Sequence, residues 1–406
     1  LGVPLMVVFK IYPSISGALS GYTNHILFFV LVSFGISESM AKVPISKRIL
    51  AKMIDLFGAK SERILLAVML CAASLSSIMS NVATTALLIT VVLNFLNVYE
   101  KEEERKRSGK AFMIGLPIAS MIGGMITPAG SPLNILGLDF LTSYAGINVS
   151  FVQWMLIGTP IAVVMIFFSW FLIIKVFKLP AIEEEKTRQY VESLEIPETI
   201  DYQEKYVILV VGIMFVLWIL SSWFPALAVT VVGTIGFAFL FVPKYGVLDW
   251  KEYCGHVSWE SFFLIGTMMS MGSALSTNGV SSWIVDLLFS GTMSFSLPVM
   301  IFILSIVIFL LLLPIPIGPA LISMLAIPFI DLGSKWGISP VAMIMTLTLC
   351  AANCYLLPLD TVPLLTYSTG YYKMTDMPKV SVLIQLVLAV VTAIWIPASL
   401  AILGIV

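Results

Sequence analysis

Long apolar runs alternate along the chain with short polar or charged stretches, at residues 1–11, 25–41, 64–98, 111–144, 153–174, 206–223, 226–242, 259–276, 297–332, 340–367 and 379–403. Most have the length of a membrane-crossing helix, which needs roughly 20 apolar residues. Run 1–11 reads as the end of a span, so one or two further spans are expected upstream. Residues 44–63 are too charged to cross. They set Ile45, Ile49, Met53, Ile54 and Leu56 against Lys47, Arg48, Lys52 and Asp55, the pattern of a helix lying in the interface. A shorter amphipathic piece is expected at 280–288.

Four of the runs are interrupted. Ser76 to Thr85 is a stretch of small hydroxyl and amide residues inside apolar sequence, and Ser76, Ser80 and Thr84 would share one face of a continuous helix. Ser80-Asn81 is also a good cap pair for a helix that starts there. Thr127 to Asn134 cannot continue as helix, because Pro128 and Pro132 remove donors and clash with the preceding turn. Pro314 to Pro319 and Leu357 to Pro363 interrupt the second half in the same way. Serines and threonines in membrane helices often only bond their own carbonyls or join one helix to another. Two breaks in one half of the chain favour a binding site over that reading.

Composition changes little in this picture but excludes a good deal. Hydrophobic residues make up 59% and charged residues 11% of 406, with a mean hydropathy of +1.03, against roughly 45–50% and 25% in a soluble domain. A polytopic, all-α membrane protein is predicted. The net charge of −1 hides a segregation, since 20 of the 22 Lys and Arg fall in 42–63, 101–110, 175–205, 244–251 and 373–379. Those stretches are expected on the cytoplasmic side. Run 64–98 is then flanked by inside stretches at both ends and reads as a re-entrant hairpin broken at Ser80-Asn81, and the charge run 100–110 as a solvated turn. The four cysteines read as packing residues. His25 and His256 are read as lacking a cysteine or carboxylate at ligand spacing, and no nucleophile with a base is evident. Neither an enzyme nor an organic cofactor nor a nucleic-acid partner is expected. Trp154, Trp218, Trp223, Trp250, Trp259, Trp283 and Trp395 read mostly as interfacial belt residues.

The order of elements recurs. Gly35-Ile36-Ser37-Glu38-Ser39 and Gly272-Ser273-Ala274-Leu275-Ser276 each precede an amphipathic piece, a broken hairpin and a broken span. With cationic loops inside, the second copy is inverted. An inverted repeat with discontinuous helices is the plan of a secondary transporter, its site near the bilayer midplane. The expected division is scaffold spans and an inner interfacial helix at 1–63, a transport unit at 64–174, a cytoplasmic linker at 175–205, scaffold spans at 206–290 and a second transport unit at 291–406. A channel is the less favoured reading, because closed hairpin tips suit an occluding site.

The residues at these breaks resemble the divalent anion/sodium symporter family of dicarboxylate, citrate and sulfate carriers. Ser80-Asn81-Val82-Ala83-Thr84 is similar to that family's Ser-Asn-Thr tip, Gly130-Ser131-Pro132-Leu133-Asn134 to its Gly-Thr-Pro-Pro-Asn break, and Gly370 to Met377 to the stretch after its second break. The resemblance implies an elevator transporter, usually a homodimer, in the cell (inner) membrane, with sodium as coupling ion and a small anion as substrate. It implies a first sodium site at Ser76, Ser80, Asn81 and the Gly130 carbonyl. It implies substrate contacts at Ser80, Asn81, Val82, Ser131, Gly318, Pro319, Asp360 and Thr361.

The sequence departs from that pattern at three places. Val82 replaces a substrate-binding Thr, Gly318-Pro319-Ala320 replaces a second Ser-Asn-Thr, and Asp360 stands where a small residue is usual. The side chains for a second carboxylate are therefore missing, so a mono-anionic or smaller substrate gains ground. A carboxylate at membrane depth costs roughly 2.5–3.5 kcal/mol on insertion scales. Asp360 is accordingly read as a candidate second sodium or proton site, as the partner of a cationic group on a zwitterionic substrate, or as a helix cap. The competing functional reading is a proton-coupled or ion-independent exchanger.

Overall fold

The computed structural model describes residues 2–194, 196–280, 283 and 295–405. Helices and turns account for all the regular structure in those residues. The expected piece at 280–288 falls almost entirely outside them.

The first half opens with α1 (Gly2–Val8), α2 (Ile15–Ala18) and α3 (His25–Ala41). Asn24 caps α3 by accepting from the Ile26 N–H at 2.9 Å. Pro44 then turns the chain into α4 (Ile45–Phe57), bent by 66° from α3. The first hairpin follows as α5 (Ser61–Ser76) and α6 (Asn81–Leu96), with its tip at 77–80. Helix α7 (Glu102–Gly123) starts earlier than expected. The run read as a solvated turn forms its first turns, because Glu102, Glu103 and Glu104 sit where the helix dipole favours negative charge. A single-turn break at Pro128–Gly130 leads to α8 (Pro132–Ala145), and α9 (Phe151–Phe177) completes the half.

The stretch expected as a linker is folded down rather than free. Helix α10 (Glu184–Ser193) is held to the hairpin base by the Tyr190 hydroxyl, which donates to the Val91 carbonyl at 2.9 Å, and by Thr187, which donates to that of Ala59 at 3.2 Å. Helix α4 takes the other end: Lys47 Nζ donates to the Leu194 carbonyl at 3.1 Å, and Arg48 forms a two-point pair with the buried Glu204 at 2.6 and 3.1 Å. Such contacts depend on tertiary placement and leave no periodic signal in sequence.

The second half comprises α11 (Tyr202–Leu220), α12 (Val229–Leu240), α13 (Trp250–His256), α14 (Trp259–Thr277), a second hairpin of α15 (Leu297–Leu311) and α16 (Gly318–Trp336), then α17 (Pro340–Ala351), the short α18 (Thr361–Tyr367) and α19 (Pro378–Leu403). Among the described residues α9, α11 and α19 are individually long and apolar enough to cross a membrane, and the bent α3–α4 pair qualifies if taken as one span. The chain is a multi-pass helical membrane protein.

Each broken span packs on the hairpin of its own half, α7 on α5 and α6, α17 on α15 and α16. The halves also cross over: α8 packs against α16 and α17, while α18 packs against α6 and α7. This weave brings the two breaks and the two tips to one place. Where α7 meets the loop after α18, Asp376 joins them, bonded to Lys110 at 3.0 Å, Lys379 at 2.6 Å and the Lys373 N–H at 3.0 Å. Gly109 leaves room there for the Tyr371 ring, which a β-carbon would overlap.

Two sequence readings need correction. Trp154 and Trp218 are fully buried rather than interfacial, their indole N–H groups donating to the carbonyls of Met125 and Val229 at 3.0 Å each. An inward-facing indole needs such a partner. His256 does have carboxylates at hand: Glu252 lies one helical turn earlier on α13, and Glu38 of α3 is 3.1 Å from its Nδ1.

Candidate functional site

A cavity of about 290 Å³ lies where the two hairpin tips and the two breaks meet. Ser80, Asn81, Val82, Ser131, Pro319, Asp360 and Thr361 all line it. Gly318 does not. It sits behind the wall, where a β-carbon would fall 2.9 Å from Leu133 Cδ1 and 3.0 Å from the Ala351 carbonyl. A larger groove of about 580 Å³ runs between α11 and α12, but its lining is apolar apart from the hydroxyls of Tyr206 and Tyr245. It offers almost nothing to orient a polar solute.

Helix starts dominate the cavity wall. Ser80 precedes α6 yet makes no side-chain cap, so the leading N–H groups of α6 lack that partner. Its own backbone N–H donates to Ser37 Oγ of α3 at 3.0 Å, fixing the tip against that helix. Ser131 caps α8, accepting from the Leu133 N–H at 3.3 Å, and turns the rest of its surface to the cavity. Asp360 caps α18, with Oδ1 accepting from the Val362 N–H at 3.1 Å. Among the described residues no Lys, Arg or His lies within ion-pair distance of Asp360, and the cavity wall has none.

Behind this wall, oxygen atoms crowd around Gly130. Ser76 is wholly buried, and its hydroxyl donates to Asn81 Oδ1 at 2.7 Å. A β-carbon on Gly130 would lie 2.7 Å from the Gly124 carbonyl oxygen and 2.9 Å from that of Ser76. A β-carbon on Gly124 would fall 2.5 Å from Asn81 Oδ1. Only glycine lets the backbones come this close. Thr127 braces the arrangement, its hydroxyl donating to the Ser77 carbonyl at 2.5 Å and accepting from the Gly130 N–H at 3.0 Å. Asn134 donates to the carbonyls of Gly124 and Thr127 at 2.7 and 2.8 Å, while its own buried Oδ1 has no donor. Hard, neutral oxygens crowded in this way, one of them without a donor, suit a cation such as sodium.

The second break is built differently. Asn353 is buried and is not among the cavity's lining residues; its amide donates to the Leu349 carbonyl at 2.7 Å, while its Oδ1, like that of Asn134, has no donor. The second tip brings Pro316, Ile317 and Pro319 to the wall, with no side-chain oxygen.

Several lining residues escaped the sequence reading: Val30, Ser33 and Phe34 on α3, and Ser258, Ser261, Leu264 and Ile265 at the start of α14. Ser258-x-x-Ser261 carried a usable signal, being a local cap in which the Ser261 N–H donates to Ser258 Oγ at 3.3 Å. Ser33 carried none, because its hydroxyl bonds the Val30 carbonyl as an ordinary helix serine does.

A family profile described as citrate transporter matches residues 1–350. The chain belongs to the citrate transporter family. Its similarity to curated members is moderate: it is 26% identical to the sodium-dependent dicarboxylate transporter SdcS of Staphylococcus saprophyticus over 91% of this chain and 75% of that protein. It is 24% identical to the protein of the same name from Staphylococcus aureus strain USA300, over 92% of this chain and 76% of the relative. Members of this family are transporters and not enzymes, and the chain is a carrier of the divalent anion/sodium symporter type, as the break motifs imply.

Proposed function

We propose that the chain is a sodium-coupled secondary transporter of a small carboxylate-bearing anion in the cell (inner) membrane. The observation that carries this reading is the close approach of the Ser76 and Gly124 carbonyls to Gly130 and of Asn81 Oδ1 to Gly124, beside the cavity-lining Asn81 and Ser131. An ion held there would share Asn81 and the start of α6 with a substrate in the cavity, so each would favour binding of the other. The uncapped start of α6 supplies the anion-binding end, with the positive pole of the helix dipole directed at it. Both relatives described above are sodium-dependent dicarboxylate transporters by name, which supports the same coupling here.

The exchange of partners between halves, α8 with the second hairpin and α18 with the first, is what an inverted repeat would produce. It supports alternating access by elevator movement, with hairpins and broken spans travelling past a scaffold that includes α3 and α14. A homodimer is part of this proposal. The test is uptake into proteoliposomes under an inward sodium gradient, with Ser76→Ala as control. Sodium-driven, saturable accumulation that the variant loses is expected, and accumulation indifferent to sodium would overturn the reading.

A competing reading is favoured by the second tip's lack of side-chain oxygens and by the lone carboxylate of Asp360, which would then be a proton site or a second sodium ligand. Uptake that follows a pH gradient, or counterflow without any ion gradient, would select it.

A further inference from the structure

We infer that the Asp360 carboxylate receives an ammonium group of the substrate, so that the cargo is a small zwitterionic amino acid and not a plain dicarboxylate. The inference rests on the proposed sodium-coupled transport and revises its substrate, from a net anion to a carboxylate that carries its own cation.

Asp360 lies on the wall of the central cavity, with one oxygen engaged by the Val362 N–H and no cationic side chain nearby among the described residues. Among the described residues the cavity wall has no Lys, Arg or His. A dianion would therefore set a second negative charge beside the Asp360 carboxylate with no cationic side chain to offset it, the proposed sodium ion and the start of α6 both serving the first carboxylate, an arrangement that weakens binding wherever water is scarce. A substrate that brings its own cation removes the conflict.

The remaining walls match the rest of such a molecule. At one end the uncapped start of α6 and the Ser80, Asn81 and Ser131 side chains offer donors for one carboxylate. Pro316, Ile317 and Pro319 face the cavity with no side-chain donor for a second carboxylate, whereas Val82, Leu133 and Ile265 form apolar surface for an aliphatic side chain. A sodium ion at Asp360 would need further oxygens converging on it; the second tip brings the side chains of Pro316, Ile317 and Pro319 to the cavity, and the donor-less Oδ1 of Asn353 belongs to a residue outside its lining. The cavity volume lies at the small end of ligand sites, suited to a molecule of amino-acid size.

The experiment uses the purified full chain in detergent with sodium, and measures ligand-induced thermal stabilisation by matched probes. These are L-alanine against propanoate, L-valine against 3-methylbutanoate, and L-aspartate against succinate. At least one amine-bearing probe is expected to bind about tenfold or more tightly than its deaminated partner, the scale of a charge-assisted hydrogen bond. Asp360→Asn and Asp360→Ser keep a capping side chain and so preserve the fold. Both are expected to abolish the preference, Asp360→Glu to retain part of it, and stabilisation by sodium alone to be the same in all variants.

The inference is overturned if deaminated probes bind as well as their partners, if no amine-bearing probe binds, or if the preference survives in Asp360→Asn. Loss of the sodium-only effect in Asp360→Asn would also overturn it, by making Asp360 an ion ligand. Failure of the underlying function reads differently: the wild-type protein would show no sodium-only stabilisation that Ser76→Ala removes, whatever the amine result.

Discussion

Gly130→Ala places a methyl group in the space assigned to the ion. Its β-carbon would lie 2.7 Å from the Gly124 carbonyl oxygen and 2.9 Å from that of Ser76. Both neighbours are backbone, so neither can rotate away. Two effects follow and can be separated. Overpacking lowers stability by about 1–3 kcal/mol whatever cation is present. Loss of the ion removes a further term, RT ln(1 + [Na⁺]/Kd), which is about 2.7 kcal/mol when sodium is at 100 times its dissociation constant. The assay is thermal unfolding of the detergent-solubilised protein in sodium and in potassium at equal ionic strength. The wild type is expected to gain stability in sodium, with the increment rising by about 1.4 kcal/mol for each tenfold increase in concentration above Kd. Gly130→Ala is expected to start lower in potassium and to gain nothing in sodium. A variant that keeps the full sodium increment refutes the placement, because an ion and that methyl group cannot share the space.

Arg48→Ala should cost about 3–5 kcal/mol, because it leaves Glu204 charged, buried and alone. The Arg48→Met/Glu204→Met pair should recover most of this in thermal unfolding, and a single-variant loss under 1 kcal/mol would count against the pairing. Ser37→Ala leaves the Ser80 N–H without its acceptor and should destabilise the tip by about 1–3 kcal/mol. Hydrogen exchange at Ser80 would report the loss, Ser37→Thr should restore protection, and unchanged exchange would argue against the contact. Asp376 is pushed up by burial, but Lys379, the Lys373 N–H and Lys110 outweigh that and hold it at about 2. Its folded value is thus below the ordinary carboxylate value of about 3.9, so its contribution is complete above about pH 4 and lost as pH falls towards 2. Asp376→Asn should cost about 2 kcal/mol at pH 7. The gap from wild type should close on acidification, and a gap constant from pH 7 to pH 3 would contradict this.

What sequence made legible here is what backbone chemistry dictates locally. Pro128 and Pro132 marked a break and stand at the starts of the two elements that follow it, Ser80-Asn81 was a natural helix start, and a cap was one of the three readings open for Asp360. The resulting breaks meet at one cavity because α8 and α18 cross to the opposite half, and no local pattern encodes that exchange. Ser33, Ser258 and Ser261 join the site only through the placement of α3 and α14. The approach of Glu38 to His256 spans more than half the chain and has no local signal, whereas Glu252, four residues before the histidine, is a carboxylate that the sequence does show. Helix α10 looked like linker because its ten residues are mostly polar, and it stays ordered through single bonds to carbonyls that any sequence would possess.

Those bonds bear on how far the parts can travel. Tyr190 is moored to the first hairpin at Val91, and Leu194, four residues on, is moored to α4 at Lys47. Four residues fully extended reach about 14 Å. If the hairpin moves as proposed, the segment would work as a leash: a shift of α6 against α4 within that reach could keep both moorings, and a longer stroke would have to cast one off. In the proposed elevator stroke these two bonds, made by one tyrosine hydroxyl and one lysine amine far from the cargo, would add to the resistance that the packing of α4 on α5 already offers.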